Sequence, residues 1–450
     1  MSIYRYTLSD YHAIKEADIT IDGITVLAGE NGCGKSTLSR WLYYLVNGAQ
    51  RFEELRIEEY VGVVTKKMNE QSSAVRELRY NIKKRGLQTN EIIFAKPKSI
   101  RSSALTITDV ATIWQIEDQY EEFVYNSGSL IAESVKYSTR NNAIKRIIEF
   151  LNADSNVDNF DNPKLVAQNY IDSCMQWLKG QTYRLYDDLA ERPLNFFLYN
   201  LYHHFHEQDN MPKNIQFRED DVELIANKRV SSLFNLSRAI YVDTPMALTN
   251  ESEENVFWNE LRSLVVTRPN RNLEMSEKKL LRRVSNILHG EAKMVKDDSP
   301  FADDELHFVS DDGKVNVEIK NVATGFKTFI YLQRLLENGY LGSNCLLLID
   351  EPEAHLHPQW IVEYARLLVL LHKELGQKIM LATHNPDMVA AIRSIAEKEQ
   401  VLDKINFYIS EPSGQPNTYC YKALGTDISE IFTSFNIALD RIQAYGTDSL

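Results

Sequence analysis

The clearest chemistry in this 450-residue chain lies in eight residues, Gly29-Glu30-Asn31-Gly32-Cys33-Gly34-Lys35-Ser36. They fit G-x-x-x-x-G-K-[ST], the pattern of a loop that cradles phosphates. Gly29, Gly32 and Gly34 let the backbone turn tightly and bring successive N–H groups up to an anion. Lys35 would reach the terminal phosphates, and the Ser36 hydroxyl would ligate Mg2+. Thr37 begins a helical run whose N-terminal dipole favours the same anion. Cys33 fills a variable position and reads as packing. Ile24–Ala28 predicts a strand before the loop and Thr37–Asn47 a helix after it, the context that separates a phosphate loop from a chance match.

A second constellation centres on Asp350, 315 residues beyond Lys35. Leu346-Leu347-Leu348-Ile349 predicts a buried strand, and it ends in two carboxylates, Asp350 and Glu351. A strand emerging at the ligand end of a parallel sheet would place Asp350 in a Mg2+ shell. Glu351 would polarise an attacking water. The run Glu351-Pro352-Glu353-Ala354-His355-Leu356-His357-Pro358 leads into a helix from Gln359 to Leu375. A further strand, Lys378–Ala382, ends in Thr383-His384, where an imidazole could touch a γ-phosphate and report its loss.

Taken together, these motifs resemble the ABC-type ATPases, in the soluble branch that holds the RecF, SMC and overcoming-lysogenization-defect proteins. The segment Asn321-Val322-Ala323-Thr324-Gly325-Phe326-Lys327 is similar to the family's signature loop, with Thr324 in place of serine and the hydroxyl kept. Gly325 precedes Asp350 by 25 residues, and His384 follows it by 34. The resemblance is strong over about residues 1–50 and 300–400. It implies an α/β P-loop ATPase head of the ABC type, built from both chain ends, with a mainly helical insertion. It also implies ATP and Mg2+ as cofactors and a homodimer or higher homo-oligomer of ATP-sandwiched heads. Each site would take Lys35, Ser36, Asp350, Glu351 and His384 from one chain. Ala323, Thr324, Gly325 and Lys327 would come from the other.

Outside the motifs, the pattern changes in blocks. Asp22-Gly23 between Ile19–Ile21 and Ile24–Ala28 reads as a hairpin turn. Glu91–Ala95 reads as a strand. Apolar residues at three-to-four spacing over Ile113–Val124, Ile131–Leu151, Lys164–Tyr186 and Leu194–His206 predict a helical block. Ala239–Asp243 reads as a strand, residues 250–290 as helical again, and Glu305–Val309 with Val315–Ile319 as a hairpin. The expected division is therefore 1–109 for an N-terminal lobe, 110–300 for the insertion and 301–450 for a C-terminal lobe.

Composition narrows the class. Charged residues at 25% and apolar residues at 44% suit a globular protein. No apolar stretch reaches the ~18 residues of a spanning helix, and the N-terminus lacks a secretory core. The four cysteines, Cys33, Cys174, Cys345 and Cys420, are far apart, so a cytoplasmic location without disulfide framework or zinc site is expected. A net charge of −13 opposes wide wrapping of duplex DNA. Arg268–Arg283 and the group Lys83, Lys84, Arg85, Lys96, Lys98 and Arg101 are local basic patches, either solvated faces or nucleic-acid contacts.

Other candidates carry two readings each. His203 and Glu207 sit one turn apart but lack a second ligand set. His355 and His357 read as a dimer-contacting loop rather than zinc ligands. Asp243 is a turn former or a strand-end group near the nucleotide. Tyr11 stacks on adenine or packs inside. Gln71, Gln88 and Gln115 are all open as the nucleotide-sensing glutamine.

After His384 the remaining 66 residues hold no acidic cluster of the nuclease kind. Among stand-alone ATPases of this size, the resemblance is to the ATPase subunits of Septu-type and PARIS-type anti-phage systems, which work with a separate nuclease. Control of such an effector is the implied role. A RecF-like repair ATPase acting directly on DNA, and a nucleotide-gated scaffold with little turnover, are the alternatives.

Overall fold

The computed structural model describes residues 2–84, 110–135, 162–205, 212, 214–243, 256–267, 271–295 and 305–433. The chain forms two compact units: Met1–Gln50 with Leu194–Leu450, and Arg51–Pro193. In chain order the elements begin with β1 (Tyr4–Tyr11), β2 (Ile14–Ile21), β3 (Ile24–Ala28) and α1 (Lys35–Gln50). Then come α2 (Phe52–Lys84), α3 (Val110–Val135), α4 (Pro163–Glu191) and α5 (Leu194–Phe205). Short strands follow: β4 (Asn214–Glu219), β5 (Val222–Glu223), β6 (Ile225–Ala226), β7 (Arg229–Val230) and β8 (Arg238–Val242). After them run α6 (Val256–Val266), α7 (Met275–Leu288), β9 (Gly290–Val295), β10 (Glu305–Ser310) and β11 (Asn316–Glu318). The described chain closes with α8 (Thr324–Glu337), β12 (Cys345–Asp350), α9 (Pro358–Leu375), β13 (Lys378–Thr383), α10 (Pro386–Lys398), β14 (Ile405–Pro412) and β15 (Tyr419–Gly425).

The first unit is built on a ten-stranded sheet in the order β5-β4-β1-β2-β15-β14-β3-β13-β12-β8. Its centre is parallel. Every residue of β3, β12 and β13 is buried, as expected where both faces of a sheet are covered. The register sets the site. Thr383 pairs with Ala28, Ala382 with Asp350, and Val242 with Ile349, so four strands end at one edge. Ile24, Val26, Leu347 and Ile349 pack with Phe329 of α8, Leu368 of α9 and Ile392 of α10 in one apolar core. A three-stranded sheet, β11-β10-β9, precedes α8, with β10 and β11 pairing as the expected hairpin.

One expectation is overturned. Asp22-Gly23 does not turn a hairpin, because β2 and β3 are not neighbours. The five buried residues of β3 need strands on both sides, and β13 and β14 supply them in parallel. The Gly23 carbonyl already accepts from Ile379 N at 2.9 Å, in line with β13. The hairpin is instead β1–β2, closing at Tyr11 and Ile14 with Asp10 and His12 at φ of 52° and 49°.

The unit boundaries also differ from those expected, falling at residues 50/51 and 193/194 instead of 109/110 and 300/301. The reason is pairing after the helical block. β4 lies beside β1 and β8 beside β12, so residues 214–242 complete the first unit's sheet. Glu91–Ala95 lies outside the described residues.

The second unit is an assembly of α2, α3 and α4. Tyr60, Val64, Met68, Ile116, Tyr120, Val124, Cys174 and Leu178 form its core. Glu117 ties the three helices, accepting from the Tyr60 hydroxyl at 2.8 Å and the Thr182 hydroxyl at 2.6 Å. Gln71 is buried here and donates toward Cys174 Sγ, whereas Gln115 is exposed and Gln88 is not described.

Within the first unit, burial pushes the Glu260 carboxyl on α6 up to about 7. A raised folded value makes the protonated form the stabilising one. That stability is full below the unfolded value of 4.5 and is lost as pH rises through about 7. Glu260→Gln is therefore expected to gain up to roughly 3 kcal/mol over the natural chain at pH 8 and almost nothing at pH 4.5. Urea midpoints of the two proteins at both pH values test this; an equal difference at the two would contradict it.

Candidate functional site

The phosphate loop runs from the end of β3 to the start of α1. Gly32 and Gly34 have φ of 83° and 95°, a region that side chains with a Cβ enter only at a cost. Glu30, Asn31 and Ser36 are exposed, Thr37 is half-buried and Cys33 is fully buried. Tyr421 of β15 braces the loop, donating to the Cys33 carbonyl at 3.1 Å with its hydroxyl 3.6 Å from Cys33 Sγ. Lys35 is only 5% exposed. Its Nζ donates to the Gly29 and Glu30 carbonyls at 2.9 and 2.8 Å, so the ammonium stands inside the loop it would share with a phosphate.

Asp350 joins this loop to the acidic strand. Its Oδ1 accepts from Ser39 Oγ at 2.8 Å and its Oδ2 from the Tyr241 hydroxyl at 2.7 Å. Burial raises the pKa of Asp350, opposed by the bonds from Tyr241, Ser39 and Ser36. Arg40 of α1 adds a cation: burial works against its charge, but Tyr241, Asp243 and Asp350 outweigh that and raise its pKa. Asp243 thus stands in this cluster, its Oδ1 accepting from Trp258 Nε1 at 2.9 Å. Burial raises its pKa, against the Trp258 bond and the Arg40 charge.

Glu351 leaves β12 with φ of 46°, its N–H tied to the Ala382 carbonyl at 2.8 Å. Its Oε1 lies 3.4 Å from His384 Nδ1, just past β13. Lys35, Ser36, Asp350, Glu351 and His384 therefore meet at the edge where β3, β12 and β13 end.

The signature segment lies elsewhere on the same unit. Ala323 caps α8, accepting from Phe326 and Lys327 N–H groups at 3.0 and 3.3 Å. A Cβ on Gly325 would stand 2.9 Å from the His355 carbonyl, so this turn abuts the loop after Glu351. Lys327 is buried with its Nζ on the Lys320 carbonyl at 3.0 Å, and burial lowers its pKa. Among the described residues, no hydrogen bond joins Thr324 or Gly325 to Gly29–Ser36.

The remaining candidates separate. Tyr11 packs edge-on against Trp41 with centroids 5.7 Å apart and is buried. His357 caps α9 through its ring, and His355 sits at φ of 69°. Among the described residues no cluster of His, Cys, Asp and Glu is arranged for a metal of the zinc kind. The His203 and Glu207 side chains lie outside the description. In the basic segment, Arg271 pairs with Glu277 and Lys279 with Glu374, whereas Lys278 and Arg282 face outward on α7. Arg268 is not described, nor are the Lys83–Arg101 side chains. Among the described residues no helix is long and apolar enough to cross a membrane.

Tyr241, Ser39, Arg40 and Glu353 were not singled out from sequence. Ser39 and Arg40 were legible only as one turn of α1 beyond Lys35. Tyr241 lay in a recognised strand whose neighbour was unknown.

A Clostridium perfringens (strain 13 / Type A) protein, named as an ABC transporter ATP-binding protein, is 30% identical over 120 residues. That stretch is 26% of this chain and 34% of the relative, so the chain spans about a third of the length of the relative it matches. An SMC head domain with an extended coiled coil from Pyrococcus furiosus is 11% identical. The alignment covers 98% of this chain and all of that one at a TM-score of 0.34. CbiO1 from Clostridium perfringens, part of an ABC transporter complex, is 16% identical over 55% of this chain and 82% of its own, at a TM-score of 0.27. At these scores neither likeness bears on function. The match to the family described as AAA ATPase domain runs over residues 1–389, from β1 into α10 and through both halves of the site, and the chain belongs to that family.

Proposed function

We propose that this chain binds ATP with Mg2+ and hydrolyses it, as an ABC-type ATPase. One observation carries the reading. Asp350 at the end of β12 is bonded by Ser39, three residues beyond Ser36 on the helix that follows the phosphate loop. Ser36 and Asp350 are the hard oxygen donors that suit Mg2+, and they would hold it; the ion would offset phosphate charge and orient the γ-phosphate. Gly29–Thr37 would wrap the phosphates through backbone N–H groups, with Lys35 turning from its loop carbonyls to the β- and γ-oxygens. Glu351 would take the proton of the attacking water, and His384 would meet the γ-phosphate. Thr324-Gly325, half-buried on a separate turn, would complete the site of a second copy, with Ala323 and Lys327 shaping that turn. A γ-phosphate shared by two surfaces makes the interface depend on the nucleotide.

The finer reading is control of a separate effector, a nuclease in anti-phage defence, through that interface. The resemblance of the motifs and the α2–α4 unit between the two halves of the site support it. Steady-state phosphate release by the purified chain tests the first claim: Mg2+-dependent turnover is expected, and none at millimolar ATP with Mg2+ would overturn it. Co-expression with the neighbouring gene product, followed by a cleavage assay, tests the second. The repair alternative calls instead for DNA binding with a steep salt slope that is lost on neutralising Arg282 and Arg283.

A further inference from the structure

The ATPase reading leaves one buried carboxylate unused. Glu353 sits two residues past Glu351, with its side chain 4% exposed. Its Oε1 accepts from Thr383 Oγ1 at 2.6 Å and from His384 N at 3.1 Å, tying the acidic loop to the end of β13. Its Oε2 is buried without a hydrogen-bond partner among the described residues, and so is His384 Nδ1. These two atoms belong to one cluster: Nδ1 stands 3.5 Å from Glu353 Oε1 and 3.4 Å from Glu351 Oε1. A buried polar atom left unpaired costs about 1–3 kcal/mol, and more when it is charged.

A neutral imidazole has one N–H and one lone pair. With the proton on Nε2, the Nδ1 lone pair would face two carboxylates, and both buried atoms would stay unpaired. With the proton on Nδ1, a small ring rotation pairs it with Glu353 Oε1, the oxygen 3.5 Å away, and satisfies the buried nitrogen. The two carboxylates are nearly equidistant but not equal. The Glu351 side chain is 43% exposed, so water and salt screen its field, whereas that of Glu353 acts through the interior. Because Nδ1 is buried while the ring is 42% exposed, the accessible part is the far edge, which carries Nε2.

We propose that Glu353 is a positioning residue for the switch histidine: it holds the His384 proton on Nδ1 and fixes the ring with Nε2 turned outward. The inference rests on the ATPase reading for its purpose. When the P–OH of the phosphate product meets Nε2, its proton passes to that nitrogen and leaves P–O⁻, and Glu353 stabilises the imidazolium so formed, as an orienting carboxylate does behind a catalytic imidazole. Glu353 also ties the loop that carries Glu351 to the end of β13, since it accepts from both Thr383 and His384.

The test is nitrogen NMR of chain labelled in its 10 histidines, at pH 8 without nucleotide, with His384 identified by the signal lost in His384→Gln. The natural chain is expected to show the Nδ1–H tautomer, Glu351→Gln to keep it, and Glu353→Gln to shift toward Nε2–H. Turnover in Glu353→Gln should fall about 10–100-fold, the usual cost of losing an orienting partner, with the KM for ATP changing less than about threefold. Glu353→Asp should recover part of both. An Nε2–H tautomer in the natural chain, which needs no variant to fold, overturns the proposal. So does an unchanged tautomer in Glu353→Gln. Absence of turnover in the natural chain would instead overturn the ATPase reading and leave the tautomer result standing.

Discussion

Glu351→Gln is expected to slow ATP turnover by about 10²–10⁴-fold, the range supplied by a positioned general base, while ATP binding persists. The argument starts from geometry. β12 delivers Asp350 into the phosphate-loop helix, and the next residue turns sharply at φ of 46°, so Glu351 leaves the sheet where Asp350 stays in it. The N–H of Glu351 is pinned to the Ala382 carbonyl, which holds the turn whatever the side chain does. Its side chain is 43% exposed, with Oε1 3.4 Å from His384 Nδ1, so an amide of the same shape should leave folding intact. What the amide removes is the capacity to accept a proton. The variant should then hold ATP without cleaving it, and if the heads pair across nucleotide, it should accumulate as a dimer with ATP and Mg2+. Phosphate release and light scattering measure the two effects. Turnover close to that of the natural chain would show that another group is the base. The scaffold alternative is separated by the natural chain itself, which would then turn over as slowly as the variant.

The parts of this site readable in the sequence are those where local geometry and chemistry coincide. A phosphate loop needs glycines at fixed offsets, and an emerging strand needs an apolar run before its carboxylates, so Gly29–Ser36 and Leu346–Glu351 carried their own signatures. The rest depends on pairing across the sheet. Tyr241 reaches Asp350 only because β8 lies parallel to β12 with Tyr241 beside Leu348, two residues from Asp350 on the same face. Spacing does not reveal that 109-residue separation. Asp243 shows the same limit: its strand was legible, but not the Arg40 and Asp350 beside it. The Asp22-Gly23 pair failed as a hairpin signal because a turn dipeptide says nothing about which strands later claim β3. The unit boundary after Pro193 was hidden for a similar reason, since β4 and β8 return to the first sheet only after the helices. Glu353 was in plain view, yet its meaning rests on two unpaired buried atoms that only coordinates display.

Lys35→Ala is expected to lower ATP affinity at least about 100-fold, close to 3 kcal/mol, because a buried ammonium is the strongest single donor the loop offers a phosphate. The lysine has a second task that the same change exposes. Without nucleotide it bonds the Gly29 and Glu30 carbonyls, and its stem is packed at the start of α1. Removing it leaves those carbonyls without their charged donor, each such bond being worth about 1.5–3 kcal/mol where it is fully buried. The Glu30 end of the loop is exposed, and water can replace that bond, so the loss of stability should lie at the lower end and the variant should fold. Melting with and without ligand separates the two tasks. Ligand at 100 times its dissociation constant stabilises a protein by about 2.7 kcal/mol. The natural chain should therefore melt several degrees higher with ATP and Mg2+, whereas Lys35→Ala should melt somewhat lower to begin with and show no shift. Lys35→Met, which keeps most of the stem, should recover part of the starting stability and none of the ATP response. A full ATP-dependent shift in either variant would mean that Gly29–Ser36 is not where the nucleotide binds.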